Sequence, residues 1–205
     1  TLPAGLKVWI DDAAERRNEI STMAKAAGAE VVASPAGDCL LVVQPWGVDA
    51  TGYCVEKELD AARCVAIDPL PKFEQRRTLM LTTLTTEAMR DAALALFASD
   101  GVAVTVINDS PGFVVQRVLA TIVNIAANIV QRGIASVEDI EDAVKLGLGY
   151  PHGPLSWGDM IGGERVLTIL RNMQATTGDP RYRPSPWLTR RVGLGVSLLT
   201  AEAKR

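Results

Sequence analysis

Histidine is almost missing from this chain: among 205 residues there is one, His152. Cysteine is sparse as well. Cys39, Cys54 and Cys64 are odd in number and are not spaced as a metal clip. They are expected to be buried, reduced thiols of a cytoplasmic protein, and no metal is expected. No tract is rich in basic residues, and 21 lysines and arginines stand against 24 acidic side chains, so nucleic acid is not an expected partner. No apolar run has the length and purity of a membrane span. The longest, near residues 113–130, is interrupted by Gln116, Arg117, Asn124 and Asn128. Thr1-Leu2-Pro3-Ala4-Gly5 lacks the blocks of a signal peptide. The chain starts without Met, as an excised piece of a longer protein would, and the sequence does not decide whether it is one. Repeats and low-complexity segments are absent too.

About half of the residues are hydrophobic (48%), enough to bury a sizeable core. The first half alternates strand and helix signals. Strands are expected at Lys7–Ile10, Glu30–Ala33, Cys39–Val43, Cys64–Ile67, Thr78–Leu81 and Val102–Ile107. Helices are expected at Ala13–Ala27 and from a Thr85 or Thr86 cap to Ser99. Such alternation implies a parallel sheet with right-handed crossovers. After Asn108 only helices are expected: Phe113–Arg132, a helix capped by Ser136 and stopped by Gly147, Glu164–Thr177, and a last one from a Ser185 cap towards Ala203. In the first of these, Arg117, Thr121, Asn124, Asn128 and Gln131 recur as one polar stripe on an otherwise apolar helix, which predicts burial on several sides. The fold class is therefore α/β followed by all-α, with domains at 1–108 and 109–205.

An α/β half invites a search for a dinucleotide site, which needs a glycine-rich turn after a strand. No G-x-G-x-x-G occurs. The first strand runs instead into Asp11-Asp12-Ala13-Ala14-Glu15, whose carboxylates would repel a phosphate. Asp11 is the candidate for cofactor binding, through a ribose hydroxyl. The competing reading is that Asp11 or Asp12 caps the helix that follows.

Asn108-Asp109-Ser110-Pro111-Gly112-Phe113-Val114-Val115-Gln116-Arg117, then Gly133 to Glu141, Gly149-Tyr150-Pro151-His152-Gly153-Pro154-Leu155, and Asp159 to Gly163 occur in one order and spacing. Together they resemble the helical domain of the 3-hydroxyacyl-CoA dehydrogenases. Asp68-Pro69-Leu70-Pro71 resembles, more weakly, the Asn-Pro-x-Pro turn of that family's first domain. The resemblance implies a reduced Rossmann-like sheet followed by a helical bundle. It also implies where catalytic groups should stand, and each position departs from the pattern. The family's histidine falls on Val65, and its partner glutamate falls on a strand without an acid, Thr78–Leu81. Its asparagine falls on Gln116, and its substrate-contacting serine has no match. The tail, Gly193 to Leu199, replaces the family's usual ending. Gln116 and His152 are the catalytic candidates that remain. Gln116 is an amide with little capacity to carry protons. His152 matches no family catalytic position and has a loop role as its competing reading.

Some members of this family are long chains in which a complete dehydrogenase is followed by a degenerate second copy. The present chain resembles such a second copy. The implied parent uses NAD and an acyl-CoA substrate, whereas this piece is expected to be inactive and to bind no cofactor. It is expected to form a homodimer or to pair with the N-terminal half. A non-catalytic assembly module and an enzyme built on His152 are the other readings.

Overall fold

In a computed structural model, which describes residues 1–202, the chain divides into two compact units, Thr1–Phe113 and Val114–Arg205. The first holds a six-stranded sheet in the order β2-β1-β3-β4-β5-β6. The strands are β1 Lys7–Ile10, β2 Glu30–Val32, β3 Leu40–Val43, β4 Cys64–Ile67, β5 Arg77–Leu81 and β6 Val104–Asn108. Its helices are α1 Arg17–Ala26, α2 Ala50–Glu56 and α3 Glu87–Phe97.

Strand alternation sorts the side chains to two faces. Val8, Ile10, Leu40, Val42, Val65, Ile67 and Leu79 share one apolar cluster with residues of α1 and α3. Trp9, Leu41, Val43, Cys64, Ala66 and Met80 share the other with Ala50 and Cys54 of α2 and with Phe113. A sheet covered on both faces accounts for the continuously apolar β3 and β4. All three cysteines are buried thiols on this second face. A hydrogen bond with Cys54, together with burial, pushes the Cys64 thiol upward.

The sheet is not parallel throughout. β4 pairs with β5 in the antiparallel sense, and β6 is parallel to β5. A parallel return would need a crossover of about a dozen residues or more. The link from Asp68 to Arg76 is shorter and carries no helix. α1 starts at Arg17 rather than Ala13, and neither Asp11 nor Asp12 caps it. Its N-cap is Arg16, which makes no side-chain cap bond. α2 was not expected at all. It starts on Asp49, whose carboxylate accepts from Gly52 N at 2.6 Å, and on Asp109, which accepts from Ala50 N at 2.7 Å. Phe113 does not open a helix. It has φ 49° and is buried in the second cluster, so the unit boundary falls beyond Asn108.

The second unit comprises α4 Val115–Gln131, α5 Val137–Leu148, α6 Pro154–Ile161, α7 Gly163–Thr177, a short 3-10 turn Pro180–Tyr182 and α8 Pro186–Leu194. α4 packs against α6, α7 and α8. α5 begins with a capping box between Ser136 and Asp139. It runs through Gly147 and ends at Gly149, the residue with left-handed backbone. Ser185 stands at the N-cap of α8 as expected, but its side chain makes no cap bond. Its hydroxyl lies 3.2 Å from Gln131 Oε1, and Pro186 opens the helix. α8 ends before Gly195, whose backbone is left-handed, while Ala203 lies outside the described residues. Among the described residues no helix is long and apolar enough to cross a membrane.

One ion pair inside the first unit reads out in pH. Arg77 is buried at the start of β5, and its guanidinium meets half-exposed Asp100 with bonds of 2.7 and 2.6 Å. The Arg77 bond holds the Asp100 carboxyl down to about 2. The folded value lies below the unfolded one of about 3.9. The pair's contribution is therefore complete above about pH 4 and is lost as pH falls through about 2. Asp100→Asn should lower stability by about 1 kcal/mol at neutral pH, a figure discounted for exposure. In urea titrations the two proteins should converge towards about pH 2. A constant difference across that range would refute the ionic account.

Candidate functional site

Ligands of open α/β sheets bind beyond the carboxyl ends of the strands, where strand order reverses. Here that crevice lies between β1 and β3. The chain's own groups occupy its rim. Asp11, just after β1, is buried; its Oδ1 accepts from Ala13 N at 3.0 Å and its Oδ2 from Tyr53 Oη at 2.5 Å. Burial, reinforced by this carboxylate, pushes the Tyr53 phenol well above its ordinary value. Gln44, just after β3, is also buried. Its Oε1 accepts from Arg16 N at 2.8 Å, ahead of α1. In dinucleotide-binding folds that end of the helix faces the pyrophosphate. In this chain it faces an amide oxygen, with the Asp11 and Asp12 carboxylates on the preceding turn. The oxygens here are acceptors where a phosphate needs donors, and Gln44 Nε2 is the one buried donor among these side chains, without a partner among the described residues.

The guanidinium of Arg16 closes the neighbouring turn. It donates to Pro71 O at 2.6 Å, pairs with Glu19 and lies 3.5 Å from the centroid of the Phe73 ring. It thus clasps the Asp68-Pro69-Leu70-Pro71 turn that follows β4. Val65, three residues earlier, is fully buried in the apolar cluster. Its β5 neighbour in register is Leu81, and no acid stands on β5.

In the helical unit the motif residues meet one another. Buried Glu141 of α5 accepts from Leu155 N at 2.7 Å and Ser156 N at 3.3 Å, and from the Ser156 hydroxyl. It thereby satisfies the first amides of α6 from another helix. Gly153 lies against that carboxylate, where any Cβ would collide with it. Gly158 leaves room for Leu198 and Val123, and Gly163 for Val192. Asp159 accepts from Leu198 N at 2.8 Å and from the Ser197 hydroxyl, which holds the tail in place. Gly149 and Gly153-Pro154 thus mark a helix stop and a helix start.

The polar stripe of α4 has the opposite orientation to a solvated one over part of its length. Asn124 is buried; it donates to Arg183 O at 2.9 Å and accepts from Ser185 N at 2.8 Å. Gln131 accepts from Trp187 N at 2.7 Å. Gln116 is fully buried in the first turn of α4. His152 is exposed, and its side chain makes no hydrogen bond to any described residue. Asp11 belongs to the other compact unit. Among the described residues no cluster of histidine, cysteine and carboxylate could hold a metal ion. The sequence reading missed Gln44, Tyr53 and Glu141, all of which act across long stretches of chain.

A sheet unit is followed in the chain by an all-helical unit, and residues 112–199 run from the last two residues of the first through most of the second. Those residues match the family model described as "3-hydroxyacyl-CoA dehydrogenase, C-terminal domain". Through this domain the chain is similar to the 3-hydroxyacyl-CoA dehydrogenases. It is 37% identical over 114 residues to the 3-hydroxyadipyl-CoA dehydrogenase of Escherichia coli K12, a match that covers 56% of this chain and 24% of that one. The fold is similar to crystal structures of FadB2 from M. tuberculosis and of a 3-hydroxybutyryl-CoA dehydrogenase from E. coli. The first has TM-score 0.74, 25% identity, and coverage of 96% of this chain and 70% of that one. The second has TM-score 0.66, 32% identity, and coverage of 78% and 33%. The chain thus spans about a quarter of the curated E. coli relative it matches.

The Glu141 contact predicts a coupling. Glu141→Ala strands buried amides and should cost about 2–4 kcal/mol in chemical unfolding. Gly153→Ala should cost about 1–3 kcal/mol alone. In the Glu141→Ala background it should cost clearly less, because the carboxylate it strikes is gone. Additive effects would show that the two residues do not share one packed contact.

Proposed function

We propose that this chain is the C-terminal part of an NAD-dependent 3-hydroxyacyl-CoA dehydrogenase, itself without the catalytic groups, which supports assembly and the acyl-CoA cleft of the whole protein. The observation that carries the reading is Val65. Oxidising a 3-hydroxyl to a ketone needs a base for the proton and a nicotinamide for the hydride. Val65 stands in an apolar cluster where the resemblance calls for that base. The crevice beside β1 and β3 does not suit a dinucleotide, because it lacks a glycine turn and the amides of Ala13 and Arg16 are already taken by Asp11 and Gln44. Gln116 is read as a structural amide and His152 as a surface residue of the turn.

The lengths of the relatives support a tandem parent. The same family occurs as chains of which this piece covers 70%, and as longer chains of which it covers 33% or 24%. In the longer ones a complete dehydrogenase can precede a second, degenerate sheet and helical domain. Exposed apolar side chains support an assembly role. Val114, Val118 and Ile125 lie outward along α4, as do Leu146 on α5 and Met160 on α6. A helix face of this kind favours self-association or docking on another part of the parent. The same faces favour the alternative in which the chain is solely a subunit-assembly module.

Two measurements test the proposal. NADH added to the chain should show no saturable change in nicotinamide fluorescence up to about 1 mM, and no oxidation with a 3-oxoacyl-CoA. Saturable binding at tens of micromolar would overturn the reading of the crevice. Light scattering at roughly tens of micromolar should give a dimer, and Val118→Asp should shift it to monomer. A monomeric wild type would remove the self-association part alone.

A further inference from the structure

The helical unit carries a groove of about 720 Å³ between the second half of α4 and the crossing segment 180–186. The crossing segment is a fixed wall. Asn124 holds the backbone on both sides of Pro184, and Gln131 holds Ser185 and Trp187. Ile125, Ile129 and Ile134 line the groove together with Arg132, Arg181 and Arg183. Ile125 and Ile134 are largely exposed, at 54% and 69%. Arg181 is paired with Asp179 at 2.7 Å. Among the described residues neither Arg132 nor Arg183 carries an ion pair. A chain of net charge −3 therefore gathers two uncompensated guanidiniums beside exposed isoleucines in one rigid groove.

We propose that this groove docks an acidic, aliphatic segment of a protein partner. Two free guanidiniums call for two carboxylates, because each fork matches one carboxylate in bidentate geometry. The isoleucines call for a branched apolar side chain between or beside them. A small fatty anion fits less well. Ligand pockets bury most of a small molecule's surface, and this open groove would leave an alkyl tail wet. A peptide keeps its backbone solvated while its side chains reach the wall, the mode in which arginine clusters read acidic motifs. The inference stands apart from the parent's dehydrogenase activity; the groove shares Ile125 with the outward face of α4 that carries Val118.

The test uses a fluorescein-labelled peptide of alternating glutamate and leucine and reads anisotropy with the whole chain. Binding should saturate at a Kd of tens to hundreds of micromolar in low salt. It should weaken about fivefold or more at about 0.5 M NaCl. The double variant Arg132→Gln/Arg183→Gln should lose about tenfold or more, and Ile125→Asn should weaken binding as well. Arg90→Gln, at a half-buried arginine of the sheet unit paired with Asp91, should leave it unchanged. Both groove arginines are exposed, so the fold should survive their loss. The proposal falls if no saturable binding is seen to about 1 mM. It also falls if the glutamine–leucine peptide binds as well, or if the double variant binds like wild type. Decanoate binding more tightly than the peptide through the same arginines would assign the groove to a small amphiphile and overturn it. A dimer that dissociates in the double variant would assign it to a second copy, with the same consequence.

Discussion

A buried carboxylate organises the helical unit. Glu141 sits on α5, yet its hydrogen bonds go to the opening amides and hydroxyl of α6. An ionised carboxylate out of water is costly unless its oxygens are satisfied. Here the satisfying donors are amides that α6 cannot pair within itself. Each group removes the other's penalty, and the exchange holds only if nothing stands between them. Gly153 meets that condition because it has no side chain. Gly149 lets the chain leave α5 in a left-handed turn, and Pro154 starts α6 with its helical φ already set. From α6, Gly158 admits Val123 of α4 and Leu198 of the tail. The seating of the last segment thus traces back to one carboxylate.

The sheet unit is held by packing more than by polar chemistry. Both faces are apolar, and the strand ends where a cofactor would be received are closed by short local bonds. Gln44 meets Arg16, Asp11 meets Tyr53, and Arg16 reaches over to the turn after β4. These internal bonds satisfy Asp11 and the amide oxygen of Gln44 without any ligand, while Gln44 Nε2 stays buried without a partner among the described residues.

Much of this was legible in the sequence because it depends on neighbours in the chain. β1, β4, α7 and the capping box at Ser136 follow from periodicity and cap residues within a few positions. What was illegible depends on distant partners. α2 contains glycine, threonine, tyrosine and valine, all modest or poor helix formers. Its start is secured by Asp109, far along the chain. The antiparallel turn of β5 depends on the length of a link rather than on any residue type. The polar stripe of α4 was visible as a stripe, but its inward part could not be read from periodicity. Asn124 faces the backbone of residues 183 and 185 because that segment lacks helical partners of its own. The site was read chiefly by departures: Val65 could be named from the resemblance, whereas Gln44 and Tyr53 became visible only through their partners.

On the proposed reading, family resemblance and catalytic capacity separate for a physical reason. The residues that carry the resemblance, Gly149, Gly153, Pro154, Gly158 and Gly163, answer to packing inside one unit, where a Cβ at Gly153, Gly158 or Gly163 meets a neighbour. The position at Val65 answers to a different demand. A histidine there would lie among Val42, Ile67 and Leu79 with no acid on β5 to receive its proton. A buried imidazole without a partner costs stability, and a valine on a central strand gains it. Once the partner acid is absent, the apolar residue is the more stable occupant. The scaffold motifs face no such alternative, since replacing Gly153 would drive a side chain into Glu141. Packing inside the helical unit is thus sufficient to account for these motifs, with or without a reaction to support.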